Sequence, residues 1–133
     1  MKITISKADM MRGQTIPPKW YKVEITNFVV KTPKSGGDSL NYVPTFKIPE
    51  LEDFSLDHTF NSKAIGNMTP FIAALQNKPV KQVLDETKTG KLDFETDDLI
   101  GKKLQIKVKN EEYEGRLVNK VDGFLPYDAQ VPF

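Results

Sequence analysis

The stretch KLQIKVKNEEYEGRLVNKV, residues 103–121, reads as two strands around a polar bend, and in the first of them lysines alternate with apolar residues. A period of two marks a half-buried strand, because successive side chains leave a strand on opposite faces. Leu104, Ile106 and Val108 therefore point one way, and Lys103, Gln105, Lys107 and Lys109 point the other. Asn110 to Glu112 read as the bend. In the return strand Tyr113, Leu117 and Val121 can pack, and Gly115 permits a bulge or a close backbone approach. The formal net charge of the chain is only +1. The row of lysines is thus a local concentration of charge, and any attraction to a polyanion has to come from one basic face.

Three further segments read as strands. WYKVEITNFVVK (20–31) is rich in β-branched and aromatic residues, with Tyr21, Val23, Ile25 and Val29 on one parity and Trp20, Lys22, Glu24, Thr26 and Phe28 on the other. TPKSGGDS (32–39) is a Pro- and Gly-marked connection. LNYVPTFKI (40–48) aligns Leu40, Tyr42, Phe46 and Ile48. Pro44 removes a ladder donor there, so an edge or a bulge is expected, and an edge offers a seam for a homo-oligomer. DFSLDHTFN (53–61) aligns Phe54, Leu56, His58 and Phe60.

The period then becomes helical. In NMTPFIAALQNK (67–78) Thr69 is a candidate N-cap, Pro70 suits the first helical position, and Phe71, Ile72 and Leu75 fall at helical spacing. VKQVLDET (80–87) predicts a second short helix with Val80, Val83 and Leu84 inward, and Asp97 to Ile100 a single turn. Residues 1–5 alternate as a short strand would, and 6–18 read as an irregular arm closed by two prolines.

Three strands, a helical insert and two strands is the order of an OB-fold, a small five-stranded barrel. Other small barrels and mixed α+β sheets share that order. The expected architecture is mainly β: a five-stranded OB-fold-like barrel with the helical insert between strands 3 and 4. It would be one domain over residues 1–126, with an N-terminal arm (1–18) and a C-terminal tip (127–133).

Composition removes several classes of chemistry. At 133 residues the chain can bury a modest core, and its cysteine count of zero excludes disulfides, a thiol nucleophile and cysteine-based metal sites. His58 is the only histidine, so a multi-histidine metal site cannot be built, and no Gly-x-Ser-x-Gly elbow or phosphate-binding GxxxxGK[ST] loop occurs. No apolar run approaches the roughly 20 residues of a membrane span, and MKITISKADMMRG lacks the apolar centre of a signal peptide. A cytoplasmic protein without metal or cofactor is expected. The acidic pairs Glu50/Glu52/Asp53, Asp97/Asp98 and Glu111/Glu112 read as solvated turns, and as a magnesium-dependent nuclease only if they converge.

What the chain does offer is a pairing of cations and aromatics. Single-stranded nucleic acid needs cations along its phosphates and exposed rings under its bases. Lys107 and Lys109 lie in the strand row, Arg116 on the return strand, Lys34 beside the Gly-Gly loop and Lys47 after Phe46. Trp20 and Lys22 share the polar parity of their strand, and Tyr42, Phe46 and Tyr113 interleave with the cations. The plainer role of outward lysines is to keep a sheet soluble and to discourage edge pairing.

The segments IPPKWYKVEITNFVVKTPKSGGDSLNYVPTFKI and LIGKKLQIKVKNEEYEGRLVNKVDGFLP resemble a family of small phage-encoded single-stranded DNA-binding proteins with an OB-fold, over roughly residues 16–126. The most telling parts are GKKLQIKV and the return from Tyr113 to Pro126. The resemblance implies an accessory protein of phage DNA replication or recombination that coats single strands in the host cytoplasm. It implies bases lying across strands two and three, on Tyr42, Phe46, Lys47 and His58, clasped by the loops at Lys34 to Gly37 and Lys109 to Tyr113. The ending YDAQVPF is similar to the C-terminal tip of bacterial single-stranded DNA-binding proteins. That similarity implies docking of replication or recombination proteins through Asp128, Pro132 and Phe133. The alternative is a non-enzymatic protein-interaction or structural module of a phage, whose lysines only solvate the sheet.

Overall fold

A computed structural model of the chain describes residues 1–5, 15–34, 37–86 and 95–131. Residues 6–14 of the arm, Ser35 and Gly36 of the connection, and Pro132 and Phe133 of the tip lie outside the described residues.

The strands are β1 (Trp20–Lys31), β2 (Asn41–Ile48), β3 (Phe54–Asp57), β4 (Phe60–Asn61), β5 (Lys103–Tyr113) and β6 (Arg116–Pro126). They form one antiparallel sheet in the order β3-β2-β1-β5-β6, with β4 also paired to β2. Between β4 and β5 come a 3-10 segment (Ser62–Met68) and two short helices, α1 (Thr69–Leu75) and α2 (Val80–Glu86). The mainly β architecture with a helical insert is thus present, with six strands where five were expected.

Pro44 explains the extra strand. The His58 amide donates to the Pro44 carbonyl at 3.2 Å, so Pro44 turns its polar side toward the third strand. Its missing N–H therefore leaves a gap in that ladder. Pairing runs through Thr45↔Asp57, lapses, and resumes at Tyr42↔Phe60. The proline breaks the facing strand in two; it does not mark an edge of the sheet.

A second irregularity reverses a parity. The β1–β2 register shifts between Ile25 and Asn27, so Thr26 is an extra residue. Beyond it Phe28 packs against the core and Val29 is exposed, the opposite of the strict alternation expected there.

The core is built from one face of the sheet and the helix laid over it. Tyr21, Val23 and Ile25 of β1, Phe46 and Ile48 of β2, and Leu104, Ile106 and Val108 of β5 are all buried. Phe71 and Ile72 of α1 close over them, and α1 packs chiefly on β6. Burying each such side chain contributes roughly 1.5–3 kcal/mol relative to leaving it in water. Ile16, read from sequence as part of the arm, is a core residue, and its amide donates to Asn119 Oδ1 at 2.8 Å.

The sheet does not close: among the described residues no ladder joins β3 or β4 to β6. Its margins are bridged by rings instead. Phe124 of β6 lies 5.9 Å from Phe60 and 5.8 Å from His58, centroid to centroid, and 5.4 Å from Phe71. Such pairs add about 0.5–1.5 kcal/mol each beyond the area they bury.

Other expectations change with the structure. The hairpin turns at Glu114 and Gly115, not at Asn110 to Glu112. Both turn residues have positive φ (50° and 79°), the signature of a two-residue type I′ turn between Tyr113 and Arg116. The bulge in this hairpin lies between Lys107↔Gly123 and Val108↔Val121, well away from Gly115. Tyr113 and Leu117, at 63% and 61% exposed, do not pack; Val121 does. Of the residues expected inward on α2, Val83 is buried, while Val80 and Leu84 are exposed because the helix offers only one turn-wide face to the core. Leu40 is exposed, and residues 1–5 form no strand. Thr69 is already helical, and the cap position falls on Met68.

Candidate nucleic-acid interface

The β1–β5 ladder has an apolar inner face and a polar outer face. Its register sets Trp20 against Lys107, Lys22 against Gln105 and Glu24 against Lys103. These six side chains share the outer face because their neighbours Tyr21, Val23, Leu104 and Ile106 all point into the core. The structure thus brings Trp20, Lys22 and Lys107 together, and Lys109 continues the row one step along β5.

Trp20 reaches across β5 onto β6. A Cβ placed on Gly123 would stand 3.1 Å from Trp20 Cη2 and 3.4 Å from Lys107 Cβ. Gly123 is therefore the residue whose missing side chain lets the indole lie against the ribbon. The indole is half-buried, with part of its surface still open to solvent.

The lysines divide by partner. Lys47 pairs with Glu24 at 3.6 Å, Lys109 with Asp122 at 3.6 Å and Lys120 with Glu111 at 3.1 Å. Exposed pairs of this kind are worth about 0–1 kcal/mol and are easily exchanged for a phosphate. Among the described residues Lys22, Lys103 and Lys107 form no ion pair. Lys22 and Lys103 stand over the Tyr127 ring, with Nζ at 4.8 Å and 5.7 Å from its centroid.

Tyr127 belongs to the segment after β6, which folds back over the outer face. Gln105 Nε2 donates to the carbonyls of Pro126 at 3.1 Å and Ala129 at 2.8 Å. Gln105 keeps the outward parity of the lysines but is covered by this segment and only 2% exposed. Asp128 is exposed beside it.

The expected aromatic platform on strands two and three is not there. Phe46 is 0% exposed and packs against Phe71, so it cannot present its ring to a base. Its parity places it with Ile48 in the core, and Tyr42 packs against the same core. His58 stands edge-on to Phe60 at 4.6 Å, within the seam between β4 and β6. Burial, helped by the Lys120 ammonium, pulls the His58 pKa below its ordinary value. Of that proposed set only Lys47 faces outward, and it borders Glu24.

Tyr113 and Arg116 form the last cross-strand pair of the hairpin and are both exposed, on the same face as Lys109 and Lys120. Lys34 is exposed in the β1–β2 connection. Lys103 faces outward with Lys107 and Lys109, as their shared parity predicts. One contributor went unrecognised in the sequence. Tyr127 is a lone aromatic past a strand end, and no periodicity points to it.

Among the described residues no three acidic or histidine side chains converge as a metal site, and no helix is long and apolar enough to cross a membrane. No protein-family model matches the chain, and no curated protein matches it in sequence.

Proposed function

We propose that the protein binds single-stranded DNA with little sequence preference, on a sheet that is an OB-fold barrel left open at one seam. The strand order β3-β2-β1-β5-β6 with a helical insert supports the fold reading. So does the seam, where Phe124, Phe60 and His58 bring together the strands whose pairing would close such a barrel.

The observation that carries the function is the outer face of the β1–β5 ladder. It sets a half-buried indole beside Lys107 and within one register step of Lys22, with Lys109 next in line. Lysines would neutralise phosphates while Trp20 stacks a base, at roughly 1–3 kcal/mol per base. The interface this favours runs along β1 and β5 and leaves β2 and β3 aside. An accessory role in phage replication or recombination, and docking of partner proteins by the C-terminal tip, follow only from the resemblance of sequence.

Fluorescence anisotropy of a labelled oligo-dT and its duplex counterpart, at two salt concentrations, tests the reading. Tight, salt-sensitive binding to the single strand and weak binding to the duplex are expected, with quenching of Trp20 emission. A second reading, a non-enzymatic interaction or structural module, is favoured by the ion pairs that already engage Lys47, Lys109 and Lys120. Absence of binding at low salt would leave that reading in place.

A further inference from the structure

At the end of the outer face away from the hairpin turn lies an open groove of about 460 Å³, walled by Lys22, Glu24, Lys47, Asp53, Lys103 and Tyr127. Its volume falls in the range that takes a small organic molecule. Its chemistry is more particular. The two ammonium groups without carboxylate partners, Lys22 and Lys103, are held only against the π face of Tyr127. A cation–π contact on a partly solvated ring is weaker than an ammonium–phosphate pair, so an arriving phosphate can draw both lysines off the ring. That movement uncovers a flat aromatic surface at the moment a phosphate is bound beside it.

A ring face and a pair of cations at one place match a nucleotide, which supplies a flat base and a phosphate on one short tether. An acidic peptide would use the lysines and leave the ring idle. The carboxylates of Glu24 and Asp53 in the groove wall can accept from the amino edges of bases. Asp53 is held there by a backbone in the left-handed region, φ 64°, following Glu52 at φ 54°. The groove is continuous with the Trp20–Lys107 pair through Lys22, and Lys103 lies four residues along β5 from Lys107, about 13 Å.

Resting on the single-strand reading above, we infer that this groove is a nucleotide subsite. One base of the strand stacks on Tyr127, and Lys22 and Lys103 take the adjoining phosphate. Trp20 holds another base further along the same face. The segment after β6 is then part of the binding surface, positioned by the two hydrogen bonds from Gln105.

The test uses the full chain and a labelled oligonucleotide carrying 5-iododeoxyuridine, irradiated and mapped by peptide sequencing. Tyr127 is expected among the cross-linked residues. In anisotropy, Tyr127→Ala weakens binding about tenfold, the loss of one stacked base, and Tyr127→Phe binds as the wild type does. Lys22→Ala with Lys103→Ala flattens the salt dependence. If the wild type binds and cross-links map only to Trp20 or Tyr113, with Tyr127→Ala unchanged in affinity, the subsite is overturned while the general reading survives. If the wild type fails to bind the single strand even at low salt, both fall together. Should Tyr127→Ala unfold the chain, the Phe variant and the cross-linking map still decide.

Discussion

Two parts of one hairpin belong to a single ladder and meet different fates. In residues 103–108 with 121–126 the apolar members Leu104, Ile106, Val108 and Val121 are buried, because β1 lies beside β5 and α1 lies over β6. In residues 109–118 no side chain is fully buried, and Tyr113 and Leu117 stand in solvent. Pairing makes both parts strands; the neighbours, and the side chains at the inner positions (Asn110, Glu112 and Asn119 in the outer part), decide which part packs. In this molecule β1 accompanies β5 only from Lys103 to Lys107. The chain thus keeps one portion of the ribbon as scaffold and extends the other outward, with the lysine-bearing face running along both.

The sharpest test of that contrast is a pair of truncations. Ile106→Ala should cost about 2–5 kcal/mol, the usual loss for an aliphatic core residue, while Leu117→Ala should change stability by less than about 0.5 kcal/mol. Urea unfolding of both variants checks this, and equal losses would mean that the outer part also packs. The next effect is on binding. Each phosphate contact on a single strand contributes about 0.7 to the slope of log affinity against log salt. Lys107→Ala should remove about that much. Lys109→Ala should remove less, since its ammonium is already shared with Asp122 at 3.6 Å.

Gly123→Ala probes the boundary between the two parts. Its new methyl would stand 3.1 Å from Trp20 Cη2, so the indole must shift, at about 1 kcal/mol, and Trp20 emission should change with it. His58 sits by Phe124, and burial, helped by Lys120, lowers its pKa. Its folded pKa is lowered, so the unfolded chain binds the proton more readily and acid favours unfolding. Stability should fall as pH drops through the ordinary histidine value near 6.5 and level off below the lowered folded value. His58→Gln should flatten that window in pH-dependent urea titrations, and Lys120→Ala should narrow it. The smallest effect belongs to the turn. Glu114 is held at φ 50°, and Glu114→Asn should stabilise the hairpin by a few tenths of a kcal/mol, visible as greater amide protection near the tip.

Much of the fold was legible because period-two and helical spacing are local properties. The buried positions of β5, the helix over 69–75 and the short helix after Pro79 all follow from such patterns. What local reading missed had non-local causes. The bulge at Thr26, which turns Phe28 inward, reflects pairing with β2 and has no sequence marker of its own. The break opposite Pro44 was visible as a missing donor, but which neighbour would lack its partner depended on the side the proline faced. For the site, parity correctly placed Lys22, Lys107 and Trp20 outside. It also put Phe46 with Ile48, which is the core; its place among the cations, and then the family resemblance, pulled it to the surface against its own parity. Tyr127 could not have been found, because a residue beyond the last strand has no register until the chain folds back.

The outer part of the hairpin also has a modular character. Glu111 pairs with Val118 and Glu112 with Leu117, and all four are exposed. Removing these two pairs together deletes an even number of residues from each strand, so every remaining side chain keeps its face. The type I′ turn would move inward intact, and the ribbon would shorten by about 7 Å. The reach of the basic face can therefore be lengthened or trimmed in steps of two residue pairs without rewriting the core.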